Sequence, residues 1–453
     1  MAMDRFQMDM CRGPLFKQIV IFSIPLMLSS FLQIFFNAAD LMIIGRFDSS
    51  DALAAIGSST VMIQLITTTF LGVSIGVNVL IARYLGENNR QKTTKAVHTA
   101  IAFALFFGTF FALMCILFAR PLLRLLQTPE GILDAGVLYM QLYMIGLPMT
   151  LLYNFCNAIL SATGDTKRPF FYISIAGLIN VLLNLFSVVV LKWSVAGVAV
   201  ATVASQTFSA VMVLRVLLHL RDSCRLKWRL LRVEWESLGK ILWIGIPAGL
   251  QWMCFSFSNL LVQATVNSFG PDAIAGNTAS VIWETFCFIG ATAVAQTVTS
   301  FVSRNLGGKQ YGRVRSSIRY CSETAAFMMG LSSFILLFFP ETLLSIINAD
   351  PNVIAMGKVR FMFLAPVLLF CGTEEVFIGA LRGLGHSVGP SLVMLFGICV
   401  FRIVWLLAAF PRLRTFEGLI VCYPLSWILT FTLALIYIAY LYRKLPKQDV
   451  LQS

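Results

Sequence analysis

The sequence has few charged residues for its length. Asp, Glu, Lys and Arg make up 12% of the 453 residues, against about 25% in ordinary soluble domains. Hydrophobic residues make up 58% of the chain and include 38 phenylalanines. A soluble fold of this size needs a charged surface that this chain cannot supply, so we expect lipid to cover much of it.

Motifs of catalysis and of metal binding are lacking as well. The ten cysteines are dispersed without a Cys-x-x-Cys pair, and the three histidines lie far apart, which excludes an obvious disulfide framework or metal cluster. The chain has no phosphate-binding Gly-x-x-x-x-Gly-Lys-Ser/Thr loop, no nucleophile elbow and no His-Glu-x-x-His pattern. We therefore expect no enzyme, no cofactor and no nucleotide-driven motor.

The net charge of +13 follows membrane topology. Most Lys and Arg residues lie in alternate connections between the apolar runs and in the two tails, and no aromatic–basic recognition module accompanies them, so we expect no nucleic-acid partner. The longest polar connection, at 220–240, is strongly basic. This pattern predicts a multi-pass protein of the cell inner (plasma) membrane, in contact with lipid, with both termini in the cytoplasm.

Twelve apolar runs are long enough to cross a hydrocarbon core of about 30 Å. They predict an all-α integral membrane protein, with transmembrane helices at 16–44, 52–82, 93–118, 133–162, 169–191, 194–218, 237–268, 272–303, 314–339, 352–381, 388–410 and 417–442.

The two halves of the sequence match at a nearly constant offset of about 221 residues, which indicates an internal repeat. Each half has six spans, so both halves enter the membrane in the same sense. They must then be related by a pseudo-twofold axis near the membrane normal. We predict an N-lobe at 1–219, a basic cytoplasmic linker at 220–240, and a C-lobe with a short tail at 241–453. The matching segments are Ile24–Pro25 with Ile246–Pro247, Asp51–Ala54 with Asp272–Ala275, and Arg83–Gly86 with Arg304–Gly307.

Four of the longer spans contain a proline, at Pro25, Pro148, Pro247 and Pro366. Proline removes a helical hydrogen bond and kinks the helix. Each of them therefore predicts a bend, which serves either as fixed shape or as a bending point.

An acid inside the first span is the strongest sign of chemistry. A charge near the centre of a membrane helix costs roughly 2.5–3.5 kcal/mol on insertion scales, so an acid within a span usually has a partner or a task. Gln33, Asn37 and Asp40 share one face of the first helix. Amides on the fifth helix and a hydroxyl on the sixth can join them to form an oxygen-rich pocket for a proton or Na⁺, whereas the alternative is a structural hydrogen-bond network. The predicted ion-coupling residues are Asp40, Asn37, Asn180, Asn184 and Thr202.

Three further acids, deep within spans of the second half, are candidates: Glu284, Glu374 and Glu375. Glu374 and Glu375 are adjacent and point about 100° apart. The repeat pairs Glu375 with Asn154, which favours Glu375 slightly for a cleft, and Arg402 could neutralise one of the acids. Aromatic residues could stack on flat cations, although packing is the alternative. The predicted cleft residues are Gln33, Tyr153, Asn154, Asn157, Asn259, Gln263, Trp283, Glu284, Glu374 and Glu375.

Ordered segments in both halves resemble the prokaryotic multidrug and toxic compound extrusion (MATE) transporters. The resemblance implies a V-shaped fold of two six-helix lobes and an ion site formed by Asp40, Asn180, Asn184 and Thr202. Asn184 departs from the Asp that is usual there, and Ser161 stands where many relatives have Arg. The resembling segments are Ile24–Leu26, Asn37–Asp40, Gly45–Phe47, Asp51–Ala54, Ala82–Gly86, Gly164–Pro169, Gly245–Pro247, Asn267–Gly270, Phe301–Gly307 and Ala380–Gly385.

The resemblance implies a monomeric secondary active antiporter. It would export small organic compounds, cationic or amphiphilic, in exchange for H⁺ or Na⁺ by alternating access of the two lobes. Two alternatives stay open. A flippase for a lipid-linked saccharide should have a strongly basic central cavity, whereas the charges inside these spans look mainly acidic, and a receptor or scaffold would not need unpaired acids.

Overall fold

The structure, a computed structural model, describes residues 6–446, and all regular secondary structure in that range is helical. The first helices are α1 (Leu15–Phe47), α2 (Ser50–Gly86), α3 (Arg90–Leu125), α4 (Glu130–Ile145), α5 (Leu147–Thr163), α6 (Lys167–Leu185), α7 (Ser194–His219), α8 (Trp235–Val266) and α9 (Pro271–Gly307). They are followed by α10 (Tyr311–Phe338), α11 (Pro340–Ile347), α12 (Pro351–Leu364), α13 (Leu368–Gly383), α14 (Val388–Met394), α15 (Phe401–Val404), α16 (Phe410–Leu413), α17 (Phe416–Ile420) and α18 (Cys422–Lys444).

Short turns of other helix types join several of these elements into longer spans. Three π-helical turns extend or interrupt the spans, and they lie at Phe186–Val190, Leu395–Val400 and Trp405–Ala409. The 3₁₀ turns lie at Trp228–Leu230, Asn267–Phe269 and Ala365–Val367. The sequence did not predict these turns or the short helix α11.

Within residues 6–446, eleven continuous helical runs are long and apolar enough to cross a membrane, and α4 with α5 forms a twelfth, bent span. The twelve predicted helices are thereby confirmed, with one correction. The run predicted as a single helix at 133–162 breaks at Gly146 and bends by 44°. Pro148 follows directly at the start of α5, where its ring and missing N–H disfavour a continuous helix.

The other prolines divide into two kinds. α1 and α8 continue through Pro25 and Pro247 without a break. Pro366 lies in the 3₁₀ turn between α12 and α13. A proline in a long apolar run therefore marks a break in two of the four predicted places.

The repeat reappears in contacts between helices. Ser59 donates to the carbonyl oxygen of Gly136 at 3.0 Å, and Ser280 donates to that of Gly357 at 3.1 Å. Both residues of the second pair lie 221 positions beyond those of the first. A further matched pair of bonds runs from Asn78 to Ala158 O at 3.0 Å and from Thr299 to Gly379 O at 2.9 Å.

By internal contacts the chain divides into two compact units. Unit 1 contains the described residues up to Asp9 and Leu28–Gly249, and unit 2 contains Met10–Met27 and the described residues from Leu250. This division cuts α1 and α8, whereas the predicted boundaries leave α1 whole and place the start of α8 in the linker. The lobes stay a prediction about the order of the spans, and residues 1–5 and 447–453 lie outside the described range.

The predicted linker at 220–240 is an ordered part of unit 1. Leu220 and Leu226 are buried, and the backbone N–H of Lys227 donates to Nε2 of His98 at 3.0 Å. Lys95 forms an ion pair with Glu234 at 2.6 Å. The segment is packed on the first turns of α3, and α8 already begins at Trp235.

Within unit 1, α2 and α8 cross with their backbones in contact. A Cβ on Gly72 would lie 2.2 Å from the backbone nitrogen of Gly249, and a Cβ on Gly76 would lie 2.2 Å from the carbonyl oxygen of Ile241. Glycine lets transmembrane helices approach this closely, and the resulting van der Waals contact holds them together.

We expect Gly72→Ala to lower the melting temperature of the purified protein, because the added methyl must push α8 away. The expected loss of folding free energy is about 1–3 kcal/mol, as for other overpacked sites. Gly57→Ala on the same helix is the matched control, since a Cβ there meets nothing within 4 Å. The control should be neutral or stabilise by about 0.5–1 kcal/mol. Equal melting temperatures for the two variants would contradict the close crossing.

Candidate functional site

Four of the predicted ion-coupling side chains meet in unit 1. Nδ2 of Asn184 donates to Oδ1 of Asp40 and lies 3.3 Å from Oδ1 of Asn180. Nδ2 of Asn180 donates to the hydroxyl of Thr202 at 3.3 Å. The three helices α1, α6 and α7 thus contribute one continuous polar cluster, which we call the Asp40 cluster (Asp40, Asn180, Asn184 and Thr202).

A glycine on α6 lets α1 come close enough for this contact. A Cβ on Gly177 would lie 1.6 Å from Cε2 of Phe36, so only glycine leaves room for that ring. Phe36 lies one turn before Asp40 on α1, and Gly177 lies two turns before Asn184 on α6. The packing of Phe36 on the bare backbone therefore brings the carboxylate and the amide together.

The Asp40 cluster has one carboxylate and several neutral oxygens. Oδ1 of Asn184 is buried and has no hydrogen-bond partner, although buried polar atoms are normally paired. Tyr139 and Tyr143 of α4 lie near enough to Asp40 to interact with its charge. Among residues 6–446 no three His, Cys, Asp or Glu side chains group together, so any cation here would rely on Asp40 and neutral oxygens.

The remaining predicted residues of unit 1 stand outside this cluster. Gln33 and Asn37 are exposed, and Asn37 forms no hydrogen bond with the cluster. Tyr153 is buried, whereas Asn154 and Asn157 are half-buried. Oδ1 of Asn157 is buried without a partner.

Unit 2 contains a buried ion pair that the sequence did not predict. Nε and Nη2 of Arg360 donate to the two carboxylate oxygens of Glu284, at 2.6 and 2.8 Å. Nη1 of Arg360 donates to Asn277 at 2.7 Å, and Asn277 donates to Gln263 at 2.9 Å. Glu284 is therefore neutralised by Arg360, and the only predicted basic partner for the acids, Arg402, does not contact it.

A second buried arginine is held by uncharged groups. Nη1 of Arg402 donates to Oδ1 of Asn259 at 2.7 Å, and Nε donates to the hydroxyl of Ser426 at 3.1 Å. The Arg402 guanidinium lies 4.2 Å from the ring centroid of Tyr423, and that of Arg360 lies 4.4 Å from the same centroid. We call Arg402, Asn259, Tyr423 and Ser426 the Arg402 cluster.

The adjacent acids of α13 differ in their surroundings. Glu374 is 1% exposed, and neither of its carboxylate oxygens has a hydrogen-bond partner. Glu375 is half-buried, and its slight preference over Glu374 for the cleft stays a prediction. Nη2 of the buried Arg382 donates to Gln251 at 2.7 Å. Trp283 donates its indole N–H to Leu343 O at 2.9 Å, which is a packing contact.

Sequence signals existed for the residues that were missed. Arg360 lies inside the predicted span 352–381 but close to its start, where membrane topology explains a charge as readily as a buried pair does. Tyr423 and Ser426 lie 221 positions beyond Thr202 and Ser205. The repeat offset, applied to the predicted Thr202, therefore marks Tyr423, and Ser426 lies one turn further along the same helix.

The chain is similar to known proteins over most of its length. A sequence profile of the MatE family matches residues 25–186 and 247–406, one block in each repeat. The probable multidrug resistance protein YpnP of Bacillus subtilis (strain 168) is 25% identical over 395 residues, which is 87% of this chain and 88% of YpnP. The probable multidrug resistance protein NorM of Thermotoga maritima is 24% identical over 407 residues, with 88% and 86% covered.

A crystal structure of MATE in complex with MaD5 matches 99% of this chain and 100% of its own, with a TM-score of 0.90 at 17% identity. At that identity the likeness shows the fold alone, and it confirms the predicted twelve-helix, two-lobe architecture.

The Arg360–Glu284 pair provides a test of the buried charges. Removing one partner of a buried ion pair leaves an uncompensated charge and typically costs about 3–5 kcal/mol. We expect Arg360→Met and Glu284→Gln each to lower the melting temperature strongly, and the double variant to lose less than the sum of the two. Additive losses in this double-mutant cycle would show that the two side chains do not interact.

Proposed function

Because the chain belongs to the MatE family of multidrug and toxic compound extrusion transporters, we propose that it is a secondary active antiporter. In this proposal it exports organic compounds, cationic or amphiphilic, in exchange for H⁺ or Na⁺ by alternating access. The protein works as a monomer in the bacterial plasma membrane with both termini in the cytoplasm. The charge bias of the connections supports this orientation.

The observation that carries the proposal is the position of Asp40. It is an acid inside the apolar helix α1, and its carboxylate contacts an amide on α6. A lone ionisable group within the membrane is costly unless it is used. The same cluster offers a buried, unpartnered oxygen on Asn184, so the site can take up a proton or a small cation without being rebuilt.

Ion binding at Asp40 would be linked to substrate release through helix contacts. Neutralising the carboxylate weakens its charge-assisted bond to Nδ2 of Asn184, which joins α1 to α6 beside the packing of Phe36 on Gly177. The coupling requires that the substrate bind the two arrangements with different affinities. Substrate and ion would then occupy the protein in turn.

The two candidate ions make different demands on the cluster. A proton needs only one carboxylate oxygen of Asp40. Na⁺ needs several oxygen ligands, and the cluster can offer Asp40, Oδ1 of Asn184 and the hydroxyl of Thr202. Asn in place of a second acid at 184 leaves the site with one negative charge, which matches either monovalent ion.

A second candidate function is supported by the buried arginines. The charges within the spans were predicted to be mainly acidic, but unit 2 holds Arg360, Arg382 and Arg402 buried beside its three acids. A flippase for a lipid-linked saccharide would use such basic groups to bind phosphate. Arg360 is neutralised by Glu284, which leaves fewer free charges than that function requires. Accumulation of lipid-linked precursor in a deletion strain would favour the flippase.

Asp40→Asn should abolish ion-driven export while leaving the fold intact, because the amide has similar shape and cannot change charge. We expect the rate of efflux of a cationic dye from proteoliposomes, driven by an imposed H⁺ or Na⁺ gradient, to fall by about tenfold or more. A tenfold change corresponds to about 1.4 kcal/mol. Asp51→Asn is the matched control, since Asp51 is an exposed acid at the start of α2. Full gradient-driven export by the Asp40 variant would sink the proposal.

Thr202→Val should separate the two ions. The substitution keeps the side-chain volume and removes one neutral oxygen, so it weakens a Na⁺ site but leaves a proton acceptor at Asp40. We expect slower Na⁺-driven efflux at equal pH on both sides, with pH-driven efflux in the absence of Na⁺ nearly unchanged. A pH-driven rate that falls as far as the Na⁺-driven rate would argue against this division of roles.

A further inference from the structure

The Arg402 cluster of unit 2 lies on the three spans that correspond, by the repeat, to those of the Asp40 cluster in unit 1, which are the first, fifth and sixth of each half. The last span of each half matches at an offset of 221, and the first span of each half matches at an offset of 222, as for Pro25 and Pro247. Thr202 of the Asp40 cluster corresponds to Tyr423, and the neighbouring positions Ser205 and Asn37 correspond to Ser426 and Asn259.

The fifth span of the second half has an arginine, Arg402, and a π turn before it, whereas the corresponding stretch of the first half has neither. At an offset of 221, Arg402 corresponds to Val181, one position after Asn180. The π turn at Leu395–Val400 precedes Arg402, while the matching stretch of α6 is regular. A π turn adds one residue to a helical turn and is frequent at functional sites. The extra residue brings Arg402 into the place of Asn180.

The contacts agree with this correspondence. In unit 1, Asn180 donates to Thr202. In unit 2, Arg402 lies over Tyr423, the counterpart of Thr202, at 4.2 Å. The guanidinium of Arg402 therefore lies against the last span of its half, as Asn180 of the Asp40 cluster does in the first half.

The surroundings of Arg402 are those of a bound cation. Its side chain is fully buried, and it is held by a carbonyl-type oxygen of Asn259, the hydroxyl of Ser426 and the face of an aromatic ring. Its Nη2 has no partner, and Glu374, whose charge interacts with it, has two unpartnered oxygens. Arg360 differs, because a bidentate carboxylate satisfies it.

We propose that the Arg402 guanidinium is a tethered cation that fills the unit 2 counterpart of the coupling-ion site, so that unit 2 takes up no ion. An arginine carries its charge throughout the physiological pH range. The unit 2 site is therefore permanently occupied, and ion exchange is confined to unit 1. This inference rests on the proposed function, which assigns the coupling ion to Asp40.

The first test replaces the tethered cation with a free one. Arg402→Ala should lower the melting temperature of the purified protein, and methylguanidinium chloride should restore it in a saturable manner. Tetramethylammonium chloride, which has the same charge but no N–H donors, should restore less. Arg412→Ala is the control, because Arg412 is exposed and outside the cluster, and it should show no response to methylguanidinium.

The second test counts ions. In proteoliposomes the reversal of substrate flux against opposed ion gradients gives the number of ions exchanged per substrate. We expect this number to rise by one in Arg402→Ala, because the vacated oxygens and Glu374 can take an inorganic ion. It should return to the wild-type number when methylguanidinium is added, and Arg402→Lys, which keeps a tethered charge, should match the wild type.

An unchanged number of ions in Arg402→Ala would overturn the proposal, even if methylguanidinium restores stability, because Arg402 would then be structural only. Arg402→Gln gives the same measurement if the alanine variant does not fold. Asp40→Asn, run in parallel, isolates the premise. If that variant keeps wild-type ion dependence, the proposed function fails, whereas a failure confined to the Arg402 variants rejects only the tethered cation.

Discussion

In a hydrocarbon core each buried polar atom has to be satisfied by another part of the protein, and this constraint organises the whole chain. The backbone N–H and C=O groups are hydrogen-bonded within each helix, so polar side chains can form hydrogen bonds between helices. Ser59 and Ser280 each bond to a carbonyl oxygen of a neighbouring helix at equivalent places in the repeat. Where glycines bare the backbone, as at Gly72, helices pack directly against each other. The Asp40 cluster and the Arg402 cluster lie among these helix–helix contacts.

The same constraint gives meaning to the buried atoms that lack a partner. Oδ1 of Asn184, Nη2 of Arg402 and both carboxylate oxygens of Glu374 are buried without a hydrogen bond. Leaving such a group unpaired costs about 1–3 kcal/mol, and more if it is charged. These atoms belong to or adjoin the two polar clusters, where ligands or rearrangements can offset that cost.

Much of the architecture was predictable, because hydrophobic length is a strong signal in membrane helices. Four members of the predicted ion site, Asp40, Asn180, Asn184 and Thr202, do meet, whereas Asn37, which the same helical spacing marked, is exposed. The sequence did not predict the break at Gly146 or the π turn before Arg402, because both depend on local backbone geometry and leave hydropathy unchanged. Arg360 was missed because a charge near a helix end serves topology as readily as it serves a buried pair.

The repeat explains how one frame can carry two different polar clusters. Contacts that use the backbone, such as those to Gly136 and Gly357, depend on helix spacing and are the same in both halves. The side chains of the two clusters do not determine the spacing of the helices. One half can therefore carry a carboxylate, Asp40, and the other a guanidinium, Arg402. A one-residue π insertion is enough to turn Arg402 inward without moving the ends of its span. Asymmetry of charge therefore arises within a symmetric backbone, with a negative group in one half and a positive group in the other.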